Sequence, residues 1–424
     1  MAGTSDPQLA EMGFGMTEVA WWSYLRTQPE VLLHYLRLVV SPNHLSIDYG
    51  WPIEDDPMKI YGLGAIILVL LAASLIAWVH WPRIGVLALS VFLILGPTSS
   101  FLPIRDLAFE HRMYLALAPL VVLLVLAARW IGQRMMGDER MRKRASVILL
   151  LVIITGLCLR TSVRNRDYSD PVRLWSKAAH MAPHHPRPHL QWGSWLMRRG
   201  RSQEAIAQIE YALRLDPDYG KGHHGLAVAL ASQGRDDEAA EHYQRAIELR
   251  PVFFNAHLNY ANLCARQERF LDAERLYRIA LQIRPGHATA HCFLGAVMEA
   301  QENPHAAIDE FRWALRIAPD HAQSIERLTW ILATSPDQEI ADPTAAMRMA
   351  ERLLNFAGSQ KSPSRLDVAA AACAANEDYR RAAALADSGA DYAEANGNIE
   401  LARAIRGRAA LYRARQSAVT NRRE

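Results

Sequence analysis

Residues that could do chemistry gather at few places in this 424-residue chain. The stretch RDLAFEHRMY at 105–114 brings Asp106, Glu110, Arg112 and Tyr114 together just ahead of an apolar run. An arginine at a membrane interface can grip a lipid phosphate through two parallel hydrogen bonds while a nearby carboxylate orients it. The same residues can equally form an interfacial ion pair that merely ends a helix, since membrane-facing charges are costly and tend to pair. Asp55 and Asp56, with Asp48 and Glu54 nearby, offer either a general base for a hydroxyl proton or a solvated loop. His189, His223, His257 and His291 recur every 34 residues, and His180, His184, His185 and His189 stand closer together. Neither set reads as a metal site. Repeats ~10 Å apart cannot share a zinc bonded to nitrogen at ~2.0–2.1 Å, and Pro183 and Pro186 break the helix that would align the local set. No Gly-rich phosphate loop, nucleophile elbow, zinc-protease motif or dinucleotide fingerprint occurs.

The elements that must position these residues divide the chain in two. A net charge of +3, from 47 Lys and Arg against 44 Asp and Glu, excludes a strongly polybasic nucleic-acid binder. Four cysteines without paired spacing give no disulfide framework. Tyr61–Val79, Ile84–Leu102, Met113–Ala128 and Ala145–Leu159 are apolar runs, which predicts four membrane spans over 60–160. Ahead of them, 1–59 lacks a cleavable signal peptide and carries an apolar stripe over 30–41 that suits an interfacial helix or a buried amphipathic one. The 129–144 loop holds Arg129, Arg134, Arg140, Arg142, Lys143 and Arg144 against Asp138 and Glu139. That excess places the loop in the cytoplasm and the C-terminal part outside, as in a periplasmic domain, although the exit side near Arg160 is basic too.

Pro183, Pro217, Pro251, Pro285 and Pro319 fall 34 residues apart, the tetratricopeptide period. Counting repeats from residue 186, Gly193, Ala227, Ala261 and Gly295 fill position eight, and Ala205, Ala239, Ala273 and Ala307 fill position twenty. Ala212, Ala246, Ala280 and Ala314 fill position twenty-seven, so small residues stand wherever two helices must cross closely. Ile209, Tyr243, Tyr277 and Phe311 supply the large residue that fills the space between. The organisation predicted is a linker with a half-repeat helix over 161–185, four repeats over 186–319, degenerate capping repeats over 320–413 and a disordered tail at 414–424. The fold class is all-α: about four transmembrane helices followed by a tetratricopeptide α-solenoid wound as a right-handed superhelix. Such a solenoid binds an extended peptide or partner helix on the face lined by first helices, or it is purely structural. The first-helix slots yield Arg187, Lys221, Asn255, Asn259, Asn262 and Arg266 as groove residues.

The strings YLRLVVSPNHLSIDYGWP, GPTSSFLPIRDLAFEHRMYLALAP and RNRDYSDPVRLWSKAAHMAPHHPRPH resemble the C-terminal half of transmembrane-and-tetratricopeptide-repeat (TMTC-type) O-mannosyltransferases and their bacterial relatives, over roughly residues 20–410. The resemblance implies an integral membrane glycosyltransferase of the GT-C fold that moves sugar from a polyprenyl phosphate to a Ser or Thr hydroxyl outside the cytoplasm. It also implies that Glu110, Arg112 and Tyr114 contact the lipid phosphate, although Tyr114 stands one position early for the family's E-x-R-x-x-Y-like string. The family's acid pair lies in a first extracytoplasmic loop ahead of spans without counterpart here, so no catalytic residue is assigned. The implied partners are a protein or peptide, the bilayer and the polyprenyl-phosphate sugar as donor, with no other cofactor and no metal. Asn255, Asn259 and Asn262 resemble one rung of the asparagine ladder in the repeat arm of O-GlcNAc transferases. A membrane-anchored scaffold without chemistry is the competing expectation.

Overall fold

A computed structural model describes residues 21–40, 46–49, 51, 53–96, 113–135, 138–355 and 362–420, and side chains at 21, 40, 113, 114, 157 and 418–420 lie outside that description. The described regular structure is all helical, and it divides into two compact units at residues 225 and 226.

In the N-terminal unit, α1 (Trp21–Val40) buries Tyr24, Gln28, Val31 and Tyr35, a stripe one helix face wide. It begins earlier than the expected 30–41 segment and packs as a bundle member, with Val31 and Tyr35 clustered against Val91, Leu95 and Ala116. α2 (Pro57–His80) starts at Asp56, whose carboxylate accepts the Met58 N–H at 3.0 Å, with Pro57 already set to a helical φ. Trp81 alone separates it from α3 (Pro82–Leu95). A Cβ on Gly85 would fall 2.1 Å from the Trp78 Cα, so this hairpin accepts only glycine there.

The expected span Ile84–Leu102 is corrected, because its helix ends at Leu95 after 14 residues, shorter than the ~20 that cross a ~30 Å core. Three helices are long and apolar enough to cross: α2, α4 (Met113–Met135) and α5 (Glu139–Ser169). None of the described residues in the apolar run of α5 is buried. Asp167, at its end, binds the Lys177 ammonium with both oxygens at 2.7 Å, fixing α5 to α6 (Pro171–Met181). The unit closes with α7 (Pro186–Arg198), α8 (Ser202–Leu215) and the start of α9 (Gly220–Ala231).

Repeat helices α10 (Asp236–Leu249), α11 (Phe254–Arg266), α12 (Phe270–Ile283), α13 (Ala288–Ala300) and α14 (Pro304–Ile317) stand in the C-terminal unit. There Ala239, Ala246, Ala261, Ala273, Ala280, Ala307 and Ala314 are wholly buried, as close helix crossing demands. The turns inside the repeats need a left-handed residue, supplied by Gly200 and Gly234 and, under strain, by Glu268 and Glu302 near φ 60 and 59. α15 (Ala322–Thr334), α16 (Pro343–Asn355), α17 (Pro363–Ala375), α18 (Tyr379–Ala395) and α19 (Ile399–Thr420) complete the unit. α19 continues through 414–420, so that much of the expected disordered tail is helical; residues 421–424 lie outside the described set.

Candidate functional site

The acidic residues ahead of α2 have structural partners. Asp55 pairs with Arg26 and Asp56 caps α2. Glu54 accepts the Asp56 N–H at 3.0 Å and the Lys59 ammonium at 3.2 Å. The Asp56 hydrogen bond, opposed by partial desolvation and joined by Lys59, holds the Glu54 pKa below its ordinary value, the wrong direction for a general base near neutral pH. Glu110 and Arg112 lie outside the described residues, and only the backbone of Tyr114 is described, in the first turn of α4. Among the described residues no three His, Cys, Asp or Glu stand close enough to hold a metal ion.

The histidine ladder ties repeats at their junctions. The Nε2–H groups of His223, His257 and His291 donate to the carbonyls of Pro217, Pro251 and Pro285 at 2.9, 2.9 and 3.0 Å. Each joins the start of a first helix to the proline that ends the preceding second helix. His189 instead meets Gln208 Oε1 through Nδ1 at 3.0 Å and packs on Tyr211.

His291 also places Nδ1 2.6 Å from a Glu310 carboxylate oxygen, so both ring nitrogens face acceptors and the imidazolium is favoured. Glu310 raises its pKa above 6.5 against the pull of burial. The neighbouring caps behave oppositely: the Nδ1 atoms of His287 and His321 accept the N–H groups of Ala290 and Ser324 at 3.1 and 3.3 Å. Burial lowers both pKa values, helped at His287 by Arg284. The surrounding charged and polar groups are Arg284, Glu310, Arg316, Thr289 and Ser324.

Folding favours the proton on His291, so its stabilisation is complete below about pH 6.5 and is lost as pH rises through the raised folded pKa. Folding disfavours the proton on His287 and His321, so their contribution is complete above about 6.5 and is lost as pH falls towards their depressed folded values. Stability from these groups should therefore peak near pH 6.5. Denaturant midpoints of the full chain across that pH should lose their alkaline limb in His291→Gln. They should lose the acid limb in His287→Asn/His321→Asn, which keeps the caps without a titrating ring. Unaltered limbs in these variants would remove the assignment.

The groove residues do not all face outward. Arg187 lies 3.5 Å from buried Asp48, with His185 at 3.7 Å, so it is committed to the segment ahead of α2. Lys221 is half-buried and engaged within its surroundings. In the C-terminal unit, the Tyr277 hydroxyl donates to Asn262 Oδ1 at 2.6 Å and Arg266 pairs with Asp236 at 3.2 Å. Burial pushes the Tyr277 phenol pKa up, which keeps it a donor. Asn255 is exposed and Asn259, one turn later on α11, is half-buried.

Further along, successive first helices neutralise one another. Arg327 of α15 meets Glu299 of α13 at 3.0 Å, and Arg365 of α17 meets Glu326 of α15 at 2.6 Å. Arg408 of α19 grips Asp367 of α17 with two nitrogens at 2.9 and 2.5 Å. Sequence reasoning missed these pairs and the Asp48 contact. Equal charges at adjacent first-helix slots, Glu326-Arg327 and Arg365 with Asp367, were the available signal for the former.

Tetratricopeptide-repeat family models match residues 190–252 and 253–320, and the chain contains these repeats. Similar solved structures include Pseudomonas aeruginosa pilF, 19% identical over 52% of this chain and 96% of that one with a TM-score of 0.45. YrrB, described as a TPR protein with an unusual peptide-binding site, is 22% identical over 40% of this chain and 86% of its own, with a TM-score of 0.34. MamA from Desulfovibrio magneticus RS-1 is 17% identical over 41% and 95%, with a TM-score of 0.33. No curated protein matches the chain.

Proposed function

We propose that this chain, which carries tetratricopeptide repeats, is a membrane-anchored scaffold that holds an extended segment of a partner polypeptide on the first-helix face of α11. The observation that carries this reading is the placement of Asn255 and Asn259 one turn apart while the charges around them are paired. Four residues of helix rise about 6 Å and two residues of extended chain about 6.8 Å, so two carboxamides can each meet alternate peptide units. A carboxamide offers both a donor and an acceptor, which recognises backbone irrespective of sequence.

The full chain in nanodiscs, panned against a displayed peptide library, should select extended segments. Two neutral hydrogen-bonding side chains contribute about 1 kcal/mol each, so Asn255→Ala/Asn259→Ala should weaken the selected peptides about thirtyfold at unchanged helicity. Unaltered affinity would remove the reading.

Anchoring rests on α2, α4 and α5. Asp48 precedes α2 and contacts Arg187 beyond α5, which puts both on one side of a bilayer and requires an even number of crossings between them. With three long helices, α3 is the crossing that makes the number even. The structure lends this support, since Leu95 at its end and Ala116 near the start of α4 both cluster with α1. With the basic 129–144 segment cytoplasmic, the repeats lie outside, in a periplasmic or equivalent space.

The resemblance to O-mannosyltransferases supports a narrower second reading, in which the scaffold docks acceptor polypeptides for transfer from a polyprenyl-phosphate sugar by catalytic residues elsewhere. Glu110, Arg112 and Tyr114 would then contact the lipid phosphate, and the start of α4 beside α1 is where that site would open.

A further inference from the structure

Three of the four proposed crossings are short. α3 has 14 residues, and the uninterrupted apolar stretches Leu115–Ala128 of α4 and Ala145–Leu159 of α5 have 14 and 15. At 1.5 Å per residue they cover about 21–22 Å, well under the ~30 Å of an ordinary hydrocarbon core. Arginine marks the limit of the short stretches on both sides: Arg129 and Arg144 at the α4–α5 end, Arg160 at the other. Between residues 129 and 177 stand eleven Arg and Lys against four Asp and Glu, a surplus of seven in a chain whose net charge is +3. Arg129, Arg140, Arg144, Arg160 and Arg166 are exposed, and the described apolar run of α5 between the two collars is exposed throughout. The collars also contain their own acids: Glu139 pairs with Lys143 at 2.8 Å, and Asp167 is held by Lys177.

A flat lipid surface is the partner that fits. Bulky Leu, Ile and Val surround α5 on all sides between Val147 and Ile154, without the small-residue stripe that lets a second helix approach. Guanidinium groups held inside the normal phosphate plane can reach outward, or draw phosphates inward, and bind them through parallel hydrogen bonds. The positive surplus selects headgroups with net negative charge.

Resting on the membrane-spanning reading above, we propose that the two arginine collars bind the phosphates of anionic phospholipids in both leaflets. The protein thereby gathers an annulus that is thinned and enriched in phosphatidylglycerol-type headgroups. Thinning follows from the collar spacing, and enrichment follows from the charge.

The test uses the full chain reconstituted with equal phosphatidylglycerol and phosphatidylcholine, then stripped of bulk lipid and assayed for retained lipid. Retained phosphatidylglycerol should exceed phosphatidylcholine by about fivefold or more. Arg140→Gln/Arg142→Gln/Lys143→Gln/Arg144→Gln and, separately, Arg160→Gln/Arg164→Gln/Arg166→Gln should each lower that excess, with repeat helicity unchanged. Thermal stability in vesicles should also be greater with 14-carbon than with 18-carbon acyl chains. Equal retention of the two lipids by a chain that resists carbonate extraction would overturn the lipid proposal alone. A chain that carbonate releases would overturn the spanning reading, and the collars with it.

Discussion

Replacing Phe311 with alanine should destabilise the C-terminal repeats by about 3–5 kcal/mol, the usual cost of emptying a fully buried aromatic site. Phe311 is wholly buried, and its ring lies 2.8 Å from where a Cβ on Gly295 would stand. That geometry gives a second, sharper expectation. Gly295→Ala alone should cost about 1–3 kcal/mol, because the methyl meets a ring locked on all sides. In the Phe311→Ala background the obstruction is gone, and alanine's helix preference of about 1 kcal/mol over glycine should make the same change stabilising. Denaturant unfolding of the four proteins reads both the size and the reversal of sign. Additive effects would mean that the two positions do not meet.

Arg408→Ala should be the most damaging change near the C-terminus, at about 2–3 kcal/mol. The Asp367 side chain is 9% exposed and loses a two-point partner, which leaves a buried carboxylate uncompensated. Arg408 itself is 31% exposed, so water screens part of the pair and the lower end of the range for buried ion pairs applies. Its guanidinium also lies 5.7 Å over the Trp330 ring, tying α19 back to α15. Asp367→Leu/Arg408→Met should recover most of the loss, since apolar packing replaces a buried pair without leaving a charge. The midpoint of unfolding for the three variants measures this; equal damage in the double variant would show that the hydrogen bonds, and not the stranded charge, matter.

The repeats were legible because their physics is local and periodic. A proline every 34 residues and small residues at three crossing positions locate helices whose buried faces the structure then fills with alanine. The histidine ladder carried more than packing: the fixed six-residue step from Pro217 to His223, and again from Pro251 and Pro285, is the spacing of a ring-to-carbonyl bond. Sequence slots could not reveal that Asn262 and Arg266 are used inside the array, because the demand comes from Tyr277 and Asp236 on other helices. Nor could they join Asp48 to Arg187, two residues with the whole membrane region between them. Hydropathy overran α3 past Leu95 because apolar residues continue where Gly96 and Pro97 stop the helix pattern. It stopped short at α19, whose last turns are polar yet continue a packed helix.

The most direct test of an anchored, peptide-holding array is site-specific photo-cross-linking in native membranes. A photoreactive residue at Leu258, between Asn255 and Asn259 on α11, should form a polypeptide adduct that disappears in the Asn255→Ala/Asn259→Ala background. The same probe at Leu271, 79% exposed on second helix α12, should form none. Equal labelling at both positions, or adducts at 258 that persist without the asparagines, would contradict a binding face on α11.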